Sequence, residues 1–294
     1  MMKKEIKTWS TPVTEENRQR IPCALCGSLS FKAHYDCAGF SFVRCQNCGL
    51  IQANPQAAPD DVARRYRDKH GEDYLEYELS NEEAFLKLQL LGLQDAGFDA
   101  LEKEIFGRNV NSTGEILDIG CATGALLEQL RKKGWSCSGV ELCTESAVYA
   151  REKRGLNVID KTLEEAAFPD NHFDVILASH LIEHLNDPAS FIRETYRILK
   201  DDGRIIITTP NADGLQAKIF GSRWRSAIFD HLYLFSVKTL SKLLIKHGYS
   251  IEQVQTWGGL AAGTVPKPLK RVADTAAKRF GFGDVVLIKA WKQP

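Results

Sequence analysis

The stretch Glu115–Glu141, EILDIGCATGALLEQLRKKGWSCSGVE, decides the fold. A short apolar strand carrying Ile116, Leu117 and Ile119 runs into the turn Asp118-Ile119-Gly120-Cys121-Ala122-Thr123-Gly124. Gly120 and Gly124 lack a Cβ, so the backbone can turn sharply and a ligand can lie against it. Ala125–Lys133 then reads as a helix, with Leu126, Leu127 and Leu130 on one face. Its first N–H groups have no partner within the helix and are open to a ligand in the crevice. A second strand, Ser136–Val140, delivers Glu141 to its carboxyl end. A carboxylate there can accept hydrogen bonds from both hydroxyls of a ribose.

The glycine pattern selects among adenosine cofactors. The dinucleotide fingerprint wants Gly-x-Gly-x-x-Gly. Those positions hold Gly120, Ala122 and Ala125, so close approach of a pyrophosphate is poorly supported and a nicotinamide oxidoreductase is disfavoured. A cofactor without phosphate, its amino-acid end against the turn, fits better.

Downstream, strands and helices alternate. Strand three is expected at Leu156–Ile159, strand four at Phe173–Ala178, a helix capped by Asp187 at Pro188–Leu199, and strand five at Arg204–Thr209. A helix follows at Ser236–His247, and two late strands at Ile251–Trp257 and Val285–Trp291, while the long connection Gly258–Gly283 reads as partly helical with no firm assignment. Parallel strands with helical crossovers make a doubly wound α/β sheet. Asp60–Lys69 and Asn81–Leu101 read as helices that roof the crevice.

Four of the eight cysteines stand as Cys23-x-x-Cys26 and Cys45-x-x-Cys48, with eighteen residues between the pairs. That is zinc-ribbon spacing. Four thiolates close a tetrahedral zinc shell with no place for water, which reads as structural. Phe31, Tyr35, Phe40 and Phe42 are its expected core. Cys137 and Cys143 read as buried small apolar residues, as does Cys121, although it stands inside the cofactor turn. The resulting division is a tail at 1–20, a zinc ribbon at 21–58, a helical linker at 59–112 and a cofactor domain at 113–294. Formal net charge is zero over 294 residues, which argues against a broad nucleic-acid footprint. The amino terminus has charge but no apolar core after it, and no apolar run spans a bilayer, so the default location is cytoplasmic.

The central stretch resembles class I S-adenosylmethionine (SAM)-dependent methyltransferases, whose first motif reads roughly Asp/Glu-x-Gly-x-Gly/Ala-x-Gly. Phe173–Ala178 looks like their fourth strand, Ile182-Glu183-His184-Leu185 matches a segment of the ubiquinone-biosynthesis-like branch, and Arg197–Lys200 through Gly203–Pro210 match the fifth helix and strand. The resemblance implies a Rossmann-like sheet ending in an antiparallel strand pair, with SAM as cofactor. It places Asp118, Gly120, Cys121, Ala122 and Gly124 at the methionine part, Glu141 on the ribose, and Leu142, Thr162 and Leu163 around the adenine. Ser179 and His180 then face the sulfonium end.

If the acceptor is a hydroxyl, a base must take its proton. His231, in Phe229-Asp230-His231-Leu232-Tyr233, and His180 are the candidates, with Tyr233 secondary. His180-x-x-Glu183-His184 also spells a zinc-peptidase string, but its place just past a strand is better explained by the methyltransferase resemblance. His184 reads as structural, with a role near the acceptor or in a weak divalent-metal site with Glu183 as the alternative. Arg223-Trp224-Arg225 reads as a surface loop, or as a clamp on an anionic acceptor. A ribbon joined to this domain resembles bacterial enzymes that methylate sugars or other small metabolites. The sugar C-methyltransferases among them carry a further carboxyl-terminal domain for which this chain has no room, so O-methylation of a small-molecule acceptor is expected. The alternatives are an RNA or protein methyltransferase gripping its substrate by the ribbon, and a SAM-binding module without turnover. The oligomeric state is not readable.

Overall fold

A computed structural model describes residues 18–37, 39–67, 71–108, 113–259 and 267–293. The expected tail lies outside the described residues up to residue 17, as do Lys69 and part of the unassigned connection. The amino-terminal module contains β1 (Arg18–Gln19), β2 (Phe31–Cys37), β3 (Phe40–Cys45), β4 (Ile51–Ala53) and β5 (Gln56–Ala57). Three helices follow: α1 (Pro59–Arg67), α2 (Gly71–Asp95) and α3 (Phe98–Gly107). The helix expected over Asn81–Leu101 is thus two helices. Gly97, at φ 69°, takes the left-handed conformation that ends α2 and redirects the chain.

The remainder runs β6 (Glu115–Ile119), α4 (Ala125–Lys132), β7 (Ser136–Val140), α5 (Thr144–Arg154), β8 (Asn157–Ile159), β9 (Phe173–Ser179), α6 (Pro188–Ile198) and β10 (Leu199–Pro210). Then come α7 (Leu215–Phe220), β11 (Tyr233–Leu234), α8 (Val237–Lys246), β12 (Tyr249–Trp257), α9 (Lys267–Phe280) and β13 (Val285–Lys292). Seven strands form one sheet in the order β12-β13-β10-β9-β6-β7-β8. The pairs from β10 through β8 are parallel, and β13 is antiparallel to both neighbours. This is the doubly wound sheet with a terminal antiparallel pair. Its central strand β9 is buried on both faces, as a parallel strand between helical layers must be. The expected caps hold: the Asp187 carboxylate accepts from Ser190 N at 2.9 Å, and Ser236 forms a capping box with Thr239.

Strand order reverses between β9 and β6, which opens a crevice beyond their carboxyl ends. The helix α2 roofs it. Glu82 Oε2 accepts from Thr123 Oγ1 at 2.8 Å and pairs with Arg154 at 2.6 Å, tying the roof to the turn after β6 and to α5. At the other end Trp257 Nε1 donates to Asp95 at 2.6 Å.

The ribbon does not stand apart. β4 pairs with β11, so β11-β4-β3-β2 make one sheet with Tyr233 opposite Gln52 and Leu234 opposite Ile51. Phe42 is fully buried against Ala212, Trp224 and Leu234, and the Tyr35 hydroxyl donates to the Ala217 carbonyl at 3.3 Å. The small aromatic core expected inside the ribbon is therefore shared with the segment between β10 and α8. A module this small cannot bury enough apolar surface alone.

Candidate active site

The turn after β6 shows why glycine stands where it does. Gly120 adopts φ 75° and Gly124 φ 76°, both in the left-handed region. A Cβ on Gly124 would meet Leu156 Cδ1 at 2.5 Å. Gly124 does not line the crevice; its missing side chain lets α4 close on α5. Gly120 does line it, with Asp118, Cys121 and Ala122. Glu141, at the end of β7, is buried and held by two backbone donors: Ala122 N to Oε2 at 2.9 Å and Cys143 N to Oε1 at 2.8 Å. Each carboxylate oxygen keeps further acceptor capacity for a diol. Leu142, Thr162 and Leu163 border the same space. The Thr162 hydroxyl is engaged with Glu165 at 3.1 Å, so its side chain caps its own loop.

Asp118 is buried at the floor of this space, and its Oδ2 has no hydrogen-bond partner among the described residues. Burial, then the neighbouring Glu141, pushes its pKa up to about 7. On the roof, Glu78 shows the same: burial raises it to about 7, opposed by Tyr74 and reinforced by Glu141 and Glu82. The sequence reading missed Glu78 and Glu82. Their spacing of four shows a shared helix face, but nothing local says which surface that face meets. A neutral ligand gives these two carboxyls, one buried and one half-buried, no reason to ionise, whereas a cation does. SAM, the cofactor that the sequence resemblance implies, carries an ammonium and a sulfonium. Its affinity is therefore expected to rise from pH 5 to about 7, with protons released on binding. Calorimetry in buffers of different ionisation heat reads this, and affinity falling across that range would contradict it. In the empty protein the sign reverses. The folded state holds protons that carboxyls of ordinary pKa 3.8 and 4.5 have released in the unfolded chain, so these groups reduce stability as pH rises toward 7.

The space continues past Ser179 and His180 at the end of β9 to Trp257, Lys270, Lys278 and Arg225, enclosing about 1730 Å³. Ligand pockets commonly hold ~300–1,000 Å³, so there is room for a nucleoside cofactor and a second molecule. His180 has φ 51°, a strained value for a residue with a Cβ, and its backbone N donates to the Thr208 carbonyl at 2.9 Å. Its side chain is half exposed and its Nδ1 stands 3.4 Å from Glu183 Oε1. Burial would raise the pKa of Glu183, but His180, His184 and His231 outweigh it and bring it to about 2. Ser179 Oγ is paired with Thr208 Oγ1 at 2.8 Å.

The structure does not bring His231 or Tyr233 to the cavity. His231 is 7% exposed, its Nδ1 lies 2.8 Å from the Ser226 carbonyl, and burial, followed by His184, lowers its pKa to about 3. Tyr233 is fully buried and donates to the Asn186 carbonyl at 2.9 Å, with burial pushing its pKa up to about 12. The pairing of β11 with β4 encloses both behind the wall that His184 presents to the cavity. In Arg223-Trp224-Arg225, Trp224 is core and donates to Asp284 at 2.6 Å, while Arg225 pairs with Asp284 at the cavity edge.

The four ribbon sulfurs converge within 4.8 Å of one another. Gly27 N and Gly49 N close tight turns onto the carbonyls of Cys23 and Cys45. At Cys45 burial raises the thiol pKa, but backbone N–H groups of Cys48 and Asn47 and the neighbouring thiols lower it to about 6. Four converging thiols at this spacing fit a tetrahedral zinc ion.

The profile of the family described as "Methyltransferase domain" matches residues 93–254, more than half of the chain. An uncharacterised protein of Methanocaldococcus jannaschii is 30% identical over 182 residues, covering 61% of this chain and 82% of that one. The demethylmenaquinone methyltransferase of Tropheryma whipplei is 26% identical over 215 residues, covering 70% and 85%. The mitochondrial ubiquinone biosynthesis O-methyltransferase of Rattus norvegicus is 34% identical over 106 residues, covering 33% of this chain and 31% of that protein.

Proposed function

This chain belongs to the methyltransferase-domain family and is SAM-dependent, and from that premise we propose that it methylates a hydroxyl of a small molecule, a sugar or a related polyhydroxylated metabolite. The observation that carries the reading is one continuous cavity, with Asp118 and Glu141 at one end and His180 and Trp257 toward the other. Two of the three relatives named above are methyltransferases, of demethylmenaquinone and of ubiquinone biosynthesis, which supports a small-molecule acceptor. Trp257 offers an apolar ring face with Lys270, Asp274 and Lys278 in the same lining. That mixture suits a ring bearing several hydroxyls. A macromolecular acceptor gripped by the ribbon is disfavoured, because the ribbon edge at β4 is already taken by β11.

When bound, SAM supplies a methyl group on a positive sulfur that leaves readily. The chain then has to hold two reactants in line, and such positioning contributes about 7–11 kcal/mol. Glu141 fixes the donor by its ribose, and Asp118 takes up positive charge at the turn. His180, beside Glu183, receives the proton of the attacking hydroxyl. The roof helix α2 excludes water, tied down through Glu82. The ribbon cysteines hold a structural zinc ion that keeps the β11 wall in place.

Replacing Glu141 with alanine removes the diol partner, a hydrogen-bonding charge worth about 1.5–3 kcal/mol. SAM affinity should fall roughly ten- to a hundredfold in calorimetry. Unchanged affinity would remove Glu141 from the cofactor site. For the acceptor, the protein is incubated with methyl-labelled SAM and a cell metabolite extract, and labelled products are read by mass spectrometry. A labelled hydroxylated metabolite is expected. Label found only in RNA or protein, or SAM bound with no label transferred, overturns the small-molecule reading.

A further inference from the structure

The end of the cavity beyond His180 gathers three carboxylates around Trp257, Gly258 and Gly259, consecutive residues at the point where β12 ends. Each carboxylate divides its two oxygens in the same way. Asp95 Oδ2 accepts from the Trp257 indole N–H at 2.6 Å, and Oδ1 holds Lys278 Nζ at 2.6 Å. Asp284, whose backbone N donates to the Gly258 carbonyl at 3.0 Å, accepts from the Trp224 indole N–H on Oδ1 at 2.6 Å and holds Arg225 Nε on Oδ2 at 2.5 Å. Asp274 Oδ1 accepts from Gly259 N at 3.0 Å, and Oδ2 holds Lys270 Nζ at 2.6 Å. One oxygen of each acid is thus spent on an N–H of the fold, and the other fixes a cation. All three cations line the cavity.

Two of the pairs turn their positive member outward. The Asp284 side chain is 2% exposed and that of Arg225 60%, while Asp95 and Lys278 are 27% and 43% exposed. Lys270 and Asp274 are about equally covered. Each cation is also held by a single N–H. Arg225 is gripped through Nε, and its Nη1 and Nη2 have no hydrogen-bond partner among the described residues. A lysine ammonium has three donors, of which Lys270 and Lys278 each spend one. A guanidinium edge with two parallel N–H groups is what a carboxylate or a phosphate takes in bidentate fashion. Exposed ion pairs are weakly held, so an incoming anion meets little competition from the acid already present.

We propose that Arg225, with Lys270 and Lys278 anchored on the same three residues, forms a subsite for an oxyanion, a phosphate or a carboxylate, and that the methyl acceptor is a hydroxylated metabolite carrying such a group. Arg225 is then a specificity-determining residue. It selects the acceptor by charge and takes no part in moving the methyl group. The use of the subsite by an acceptor rests on the proposed methyl transfer; the binding of an oxyanion does not.

Binding and turnover are therefore read separately on the full chain. Inorganic phosphate and acetate are titrated in turn, each followed by broadening of its own NMR line, phosphorus for phosphate and the labelled carboxyl carbon for acetate. Broadening is expected, and the line that broadens more names the oxyanion. Arg225→Gln should weaken that binding roughly tenfold or more, the loss of one charge-assisted pair, with SAM affinity unchanged as the report of a folded chain. Lys278→Gln, whose acid is less buried, should weaken it by a smaller factor and serves should the Arg225 variant fail to fold. Lys218→Gln, exposed on α7 and outside the lining, should change nothing. No broadening of either line, or broadening that the Arg225 and Lys278 variants both keep, overturns the subsite. In turnover, label from methyl-labelled SAM should enter a product retained on an anion exchanger, and phosphatase treatment frees it from the column if the group is a phosphate and not if it is a carboxylate. For that acceptor Arg225→Gln should raise KM roughly tenfold or more and leave kcat within about twofold. A labelled product without an anionic group overturns the proposed charge of the acceptor and leaves methyl transfer standing. Oxyanion binding that Arg225→Gln abolishes, with no labelled product, supports the subsite and sinks the methyl-transfer reading alone.

Discussion

Replacing Cys45 with serine is expected to empty the ribbon of metal and unseat the acceptor wall while leaving the cofactor end intact. A structural zinc ion contributes about 10–16 kcal/mol to the folding of small zinc modules. Whole domains are stable by only about 5–15 kcal/mol, so losing even part of that contribution is enough to release the ribbon. The damage should spread along a defined route. β4 holds β11 through the pairing of Gln52 with Tyr233 and Ile51 with Leu234, and the Leu232 carbonyl is held by Ala53 N and by Gln56 Nε2. Without β4, the segment bearing His231 loses its anchor. The sheet around β6 and β7 has its own packing against α4 and α5. Metal content should therefore fall by one thiolate-bound ion per chain, amide protection should drop in β2–β4 and β11, and methyl transfer should be lost with SAM still bound. Cys137→Ser, outside the cluster, should leave metal content unchanged. Full metal content in the Cys45 variant, or intact β11 protection after the ribbon metal is removed, would show that the ribbon does not support this wall.

His180→Ala should lower turnover by about 10²–10⁴, the usual contribution of a positioned acid or base, with SAM affinity unchanged. Its backbone allows a cleaner form of the test. His180 is held at φ 51°, where a residue with a Cβ is strained by roughly 1–2 kcal/mol. Glycine relieves that strain and loses about 0.5–1 kcal/mol to chain entropy. His180→Gly should then match or slightly exceed the parent in stability while losing turnover. A residue that only supports the fold would show the opposite. His172→Ala, at the far end of β9, serves as the control and should keep normal turnover. If both His180 variants turn over normally, the acceptor proton leaves by another route.

The crevice at the carboxyl ends of β6 and β7 was legible in the chain because its causes are local. Gly120 needs a positive φ within one turn, Glu141 ends the strand that follows, and the Asp187 and Ser236 caps act over three residues. The same holds for Cys23, Cys26, Cys45 and Cys48, whose paired spacing is itself the geometry of the two ligand turns. Gly124 was expected at the cofactor, and the packing reason for a glycine there was not legible, since what a Cβ would strike (Leu156) arrives from another crossover. The long connection before the last strand read as partly helical, but the bounds of α9 within it were not legible, because its start signals are weak.

The acceptor half was not legible, for a different reason. His231 and Tyr233 stand in an aromatic segment that reads equally well as a cavity lining or as core. Which one it is depends on whether something covers the edge of β4, and no periodicity in either segment records that partner. In the same way, the spacing of Glu78 and Glu82 defines a helix face but not the turn after β6 beneath it. Sequence by itself determined the sheet, the turn and carboxylate that line the crevice beside β6, and the cysteine cluster, since steric and hydrogen-bonding rules acting over a few residues suffice for them. Tertiary structure alone decided that the ribbon closes onto β11 and that His180 is exposed while His231 is buried, because those outcomes depend on which distant edges find each other and exclude water.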